Sequence, residues 1–221
     1  MKRIATVLFA LIAGAPAMAD VSFPEGCVPI ANVLKTNCTA TIVMRCGSGF
    51  TEDTYTNGTR VDRHIFGHGW DLRGYVSEAN SFTASIDTTS GHGMTLEELA
   101  ETGTATGKRK GTFKTRVVRD RPIGVENTFT LSDETVTLSG VEMRKGVAKR
   151  LFIVNPNNRD LDSVWEIEIF VSKEKNLFFE GRSTQRMMGR VGMREQDPKE
   201  IVFPGDDGFG SVTSPYGCGE Q

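Results

Sequence analysis

The run Trp165-Glu166-Ile167-Glu168-Ile169-Phe170-Val171-Ser172-Lys173-Glu174-Lys175-Asn176-Leu177-Phe178-Phe179-Glu180-Gly181 decides the fold class. In an extended chain successive side chains point to opposite faces. Trp165, Ile167, Ile169 and Val171 therefore share one face, while Glu166 and Glu168 occupy the other. Such a segment is a half-buried strand, with one side on a core and one side in water. Lys173 to Asn176 then reads as a polar turn, and Leu177 opens a returning strand.

The same period recurs outward in both directions. Phe82, Ala84 and Ile86 alternate with Thr83, Ser85 and Asp87. Val125, Phe129 and Leu131 alternate with Glu126, Thr128 and Thr130, and Val136 and Leu138 with Thr135, Thr137 and Ser139. Ala40 to Arg45 reads as another strand. Turn signals separate these runs at Asn57-Gly58, Arg119 to Pro122, Ser132-Asp133 and Asn155 to Asn158. Runs spaced by roughly ten residues predict a mainly β chain of roughly ten to twelve strands. The expectation is a single antiparallel β domain over residues 20–221, built as an open or half barrel or as a sandwich.

One short helix interrupts the pattern. Thr95 with Glu98 three residues on forms a capping box, and Leu96, Leu99 and Ala100 supply an apolar stripe, so a helix is predicted near 95–102. Gly103 ends it. The stretch Gly103 to Gly111 reads as a linker or mobile loop.

At the N-terminus, Lys2 and Arg3 precede an uncharged apolar run from Ile4 to Ala13, and Ala17-Met18-Ala19 places small residues at a cleavage site. Residues 1–19 read as a signal peptide cut after Ala19, which predicts a periplasmic, secreted protein rather than a membrane-embedded one. Removing Lys2 and Arg3 from the 26 basic residues leaves 24 against 28 acidic ones. That balance excludes general nucleic-acid binding, which needs a basic footprint.

The four cysteines, Cys27, Cys38, Cys46 and Cys218, all follow the cleavage site. In an oxidising compartment an even number reads as two disulfides. A strand between Cys38 and Cys46 would hold them roughly 26 Å apart, beyond the ~7 Å that a disulfide spans. The favoured pairing is Cys27–Cys38 with Cys46–Cys218, and the alternative is Cys27–Cys46 with Cys38–Cys218. No CxxC pair is present, so the cysteines do not suggest zinc.

Candidate chemistry is sparse. His64 and His68 are four residues apart, which on a helix would place two imidazoles on one face, but the surrounding glycines predict strand and loop. His92, between Gly91 and Gly93, completes the set from a distance. No nucleophile elbow or phosphate loop is present. Asp206 and Asp207 read as a solvated turn. The basic residues stand out more: Arg182, Arg186, Arg190 and Arg194 recur every four positions, which would keep them on one face. Lys108, Arg109 and Lys110 add a second cluster. Guanidinium groups match carboxylate and phosphate, so these seven residues are candidates for contacting an anionic ligand or partner.

The segment from Trp165 to Gly181 resembles a paired-strand segment of envelope proteins related to the periplasmic lipoprotein carriers. That resemblance implies a curved antiparallel half-barrel of about eleven strands around helices, shielding acyl chains on its concave face. The chain departs from it in its four cysteines and single clear helix, and no family site residue carries over.

Together these features lead to the expectation of a non-catalytic periplasmic binding or carrier-like protein, without cofactor or metal. Its ligand would be a lipid or other apolar or amphipathic molecule, or its partner another envelope protein. Two alternatives stand beside it: a structural subunit of an envelope assembly, and a hydrolase or metal-dependent enzyme using His64, His68 or His92.

Overall fold

The computed structural model describes residues 23–155 and 157–218. Residues 1–19, expected to be a signal peptide, and the expected cleavage after Ala19 lie outside the described residues. One antiparallel sheet contains every strand: β1 (Cys27–Lys35), β2 (Thr39–Cys46), β3 (Gly49–Thr56), β4 (Thr59–Phe66), β5 (Leu72–Ser77), β6 (Phe82–Ile86), β7 (Thr104–Lys114), β8 (Arg121–Leu138), β9 (Val141–Ile153), β10 (Ser163–Ser172), β11 (Leu177–Met187), β12 (Arg190–Arg194) and β13 (Pro198–Val202). Among the described residues a single α-helix, α1 (Leu96–Thr102), sits between β6 and β7. Strands follow sequence order from β12 down to β1, and β13 then adds beside β1. The sheet curls into a half-barrel, with 13 strands rather than the expected ten to twelve.

The helix forms where the capping box places it. Thr95 accepts a hydrogen bond from the Glu98 amide, and Gly103 closes the helix in the left-handed region at φ 75°. Leu96 and Leu99 enter the main core, which Trp70, Phe66, Phe178, Ile167 and Ile169 fill on the concave side of the sheet. Phe178 packs against Phe66, Trp70 and Phe129, with ring centroids 5.9, 5.6 and 6.3 Å away.

Two local expectations are corrected. Gly103 to Gly111 is not a loop, since β7 runs from Thr104 through it. Its glycines suit a strand approached closely by its neighbour: a Cβ on Gly111 would lie 2.1 Å from the Ser85 carbonyl oxygen. Ser132-Asp133 is not a hairpin turn either. β8 continues through it, with the register against β9 shifting between Leu131 and Thr135. The turn falls at Ser139-Gly140, both in the left-handed region at φ 48° and 78°.

The disulfides take the alternative pairing, Cys27–Cys46 and Cys38–Cys218, with Cα separations of 4.1 and 4.9 Å. The favoured pairing fails because residues 28–35 are themselves strand. Cys27 and Cys46 face each other at the open end of the β1–β2 hairpin, while Cys38 lies at its turn. Pro29, at a register shift, breaks the alternation that would have revealed β1.

The C-terminal segment is more than a disulfide-held tail. It crosses the convex face of β1 to β3, where Phe209 packs on Leu34, Ala40 and Val202, and Val212 on Ile42, Met44 and Tyr55.

Candidate functional site

Register alone places charge inside the half-barrel. Directly opposed residues in a ladder share a face, so Val43 on β2 brings Glu52 inward on β3, and Glu52 brings His64 inward on β4. Across the interior, Asn127 and Arg150 oppose each other on β8 and β9. A register shift in the β10–β11 ladder turns Glu180 inward as well.

These groups meet. Arg150 donates to Glu180 at 2.8 Å and to Asn127 Oδ1 at 2.9 Å, and its side chain is nearly buried. Lys35, at the end of β1, donates from Nζ to the Glu180 carbonyl oxygen. His64 Nε2 lies 3.7 Å from the other Glu180 carboxylate oxygen. At the rim, Tyr75 donates to Asp62 at 2.7 Å, and Arg194 pairs with the same carboxylate while its guanidinium carbon stands 5.4 Å from the centre of the Trp165 ring.

Glu52 is different. It is 2% exposed, and its Oε1 has no hydrogen-bond partner among the described residues. Burial, reinforced by the Glu180 carboxylate, pushes its pKa up to about 8. Burial acts on Glu180 in the same sense, but Arg150, His64 and Lys35 outweigh it and hold that carboxyl down at about 2. Burial lowers the pKa of Lys35 and of His64, against the opposing pull of the nearby carboxylates. A cavity of about 40 Å³ lies among these side chains, lined by Lys35, Glu52, Arg150 and Glu180 and bordered by Trp165 and Arg194.

The expected arginine face is split. The chain turns at Met188-Gly189, so Arg182 and Arg186 lie on β11 while Arg190 and Arg194 lie on β12. Ser183 opposes Arg194 and Met187 opposes Arg190, so those two arginines share one face, while Arg182 and Arg186 take the other. Arg182 is engaged with Asp197 at 2.9 Å; Arg186 and Arg190 are exposed. The lysine cluster divides too. Lys108 pairs with Glu126 and Lys110 is exposed, whereas Arg109 turns inward to Asp71 at 3.3 Å.

The three histidines are not brought together. His64 is interior, while His68 lies exposed in the loop after β4 and His92 lies exposed where its backbone bridges to Lys108. Among the described residues no group of three or more His, Cys, Asp or Glu could hold a metal ion. None of the helices there is long and apolar enough to cross a membrane.

Sequence reasoning missed Lys35, Glu52, Asp62, Arg150 and Glu180. One signal was present: Phe50, Glu52 and Thr54 share a face with period two, so an inward Phe50 implies an inward carboxyl. Comparison of the chain with known families, with curated proteins and with solved structures yields no match in any of the three.

Proposed function

We propose that the protein is a non-catalytic binding protein of the bacterial periplasm, which engages an anionic amphipath, a phospholipid, through the β11–β12 hairpin. One observation carries this reading. Met187, Met188, Val191 and Met193 are all exposed in that hairpin, beside the exposed Arg186 and Arg190. Arg186 is directly opposed to Val191, and Met187 to Arg190, so two of the four apolar side chains have a cation directly across the ladder. Burying a Met or Val side chain is worth ~1.5–3 kcal/mol, so the apolar groups supply most of the attraction. Each arginine near an anionic surface adds ~1 kcal/mol, which two arginines turn into a preference of about thirtyfold for anionic over neutral lipid. The two disulfides suit an oxidising compartment.

A second reading has its own support. Among the described residues β12 pairs only with β11, which leaves that edge of the sheet open to an added strand from an envelope partner.

Vesicle flotation tests the lipid reading. The mature chain is expected to float with phosphatidylglycerol vesicles and to stay behind with phosphatidylcholine. Arg186→Gln/Arg190→Gln should abolish the difference, and Met188→Ser/Val191→Ser/Met193→Ser should abolish flotation. Failure of the wild-type chain to float with either vesicle overturns the reading. Capture of an envelope protein that survives the methionine substitutions but is lost with a proline in β12 favours the added strand instead.

A further inference from the structure

We propose that the cavity inside the half-barrel is a binding site for a carboxylate group, held between the Lys35 ammonium and the Glu52 carboxyl. This site is separate from the hairpin and does not rest on the reading given for it.

The argument begins with Glu52. A buried polar atom without a partner costs free energy, and Glu52 Oε1 is such an atom, on a residue that lines the cavity. Lys35 lines the same cavity. Its ammonium has three N–H donors, one of which goes to the Glu180 carbonyl oxygen. The two guanidinium groups are already committed, Arg150 to Glu180 and Asn127, and Arg194 to Asp62.

Charge then selects the ligand. With Glu52 holding its proton, Lys35, Arg150 and Arg194 are set against two carboxylates, Asp62 and Glu180, and burial works against the Lys35 ammonium for want of a third. One positive charge is left over in a buried space, where an uncompensated charge is costly. A monoanion cancels it. A carboxylate also has the required acceptors, one oxygen for the Lys35 ammonium and one for the acidic proton of Glu52. A single water needs ~10–15 Å³, so about 40 Å³ admits the head of a carboxylic acid.

The head could come from a small free acid or from a fatty acid, and calorimetry with sodium acetate and sodium octanoate separates these sources. At pH 6.5 the mature chain is expected to bind one equivalent of carboxylate. Equal affinity for both probes assigns a small acid; octanoate tighter by tenfold or more assigns an acyl chain reaching past Trp165. Because the bound anion requires Glu52 to keep its proton, and that proton is lost near pH 8, affinity should fall about tenfold at pH 9. Glu52→Gln keeps a neutral donor there, so it should bind at both pH values without the drop. Lys35→Met should lose binding altogether.

The proposal is overturned by the absence of saturable carboxylate binding, by equal binding of octylammonium, or by a pH dependence that persists in Glu52→Gln. Hairpin variants that no longer float with vesicles should keep carboxylate binding, so the two sites fail separately.

Discussion

Arg194, the last residue of β12, pairs with Asp62 on β4, a strand eight places away in the sheet order. The pair reaches across the concave side and ties one edge of the half-barrel to the strands that face it. Three residues, 195–197, then carry the chain to β13 at the other edge, where Thr36 donates its amide to the Asp197 carbonyl oxygen at 2.9 Å.

Breaking that tie leaves Asp62, 2% exposed, with only the Tyr75 hydroxyl. Removing one partner of a buried pair costs ~3–5 kcal/mol. Arg194 keeps a third of its side chain in solvent, so Arg194→Gln is expected to cost about 2 kcal/mol. Urea unfolding measures it; a change below ~0.5 kcal/mol would mean that the tie does not hold the edge.

The raised pKa of Glu52 has a stability consequence of definite sign. Unfolded, the carboxyl loses its proton near pH 4.3; folded, it keeps the proton up to about pH 8. Between those values the native state binds one proton more, so stability falls as pH rises through that window and levels off above it. Glu180, held down at about 2, acts oppositely: its contribution is present above the unfolded pKa and is lost as pH falls toward 2. Glu52→Gln is therefore expected to gain at least ~1 kcal/mol on wild type at pH 9 relative to pH 5. Parallel pH profiles for the two proteins would contradict the assignment.

The disulfide Cys38–Cys218 closes a separation of 180 residues. Cys38→Ser/Cys218→Ser should cost ~2–4 kcal/mol, yet the C-terminal segment should stay on the sheet because Phe209 and Val212 remain packed. Limited proteolysis after Phe203 is expected to be fast only when Phe209→Ser is added. Intact mass without reductant should show the oxidised chain four hydrogens lighter than the reduced one, matching its two disulfides.

Phe178 joins the two halves of the core, touching Phe66 and Trp70 on one side and Phe129 on the other. Phe178→Ala should cost ~3–5 kcal/mol. Exposed Met188→Ser should move stability by no more than ~0.5 kcal/mol. A chemical denaturation series on the two variants checks the contrast.

Much of the fold was legible because it is local. The alternation from Trp165 to Val171 and the turn at Lys173 to Asn176 match β10, β11 and the turn between them. Thr95 and Glu98 cap α1 as their spacing requires. The illegible strands are those whose alternation is interrupted: β1 by Pro29, and β7 by glycines that serve a close strand contact. The arginine spacing misled for a related reason. A period of four marks one face only while the chain runs straight, and Met188-Gly189 folds it back.

By itself, then, the sequence determined a mainly β antiparallel chain with one capped helix and an even set of cysteines, because side-chain alternation, turn chemistry and capping act over a few residues. Only the tertiary structure decided which cysteine meets which, and which charges meet inside. Lys35 and Glu180 are 145 residues apart, and Arg194 and Asp62 are 132 apart. Their encounters depend on the order and curl of the sheet, where one register shift in β11 turns a glutamate from solvent into the interior.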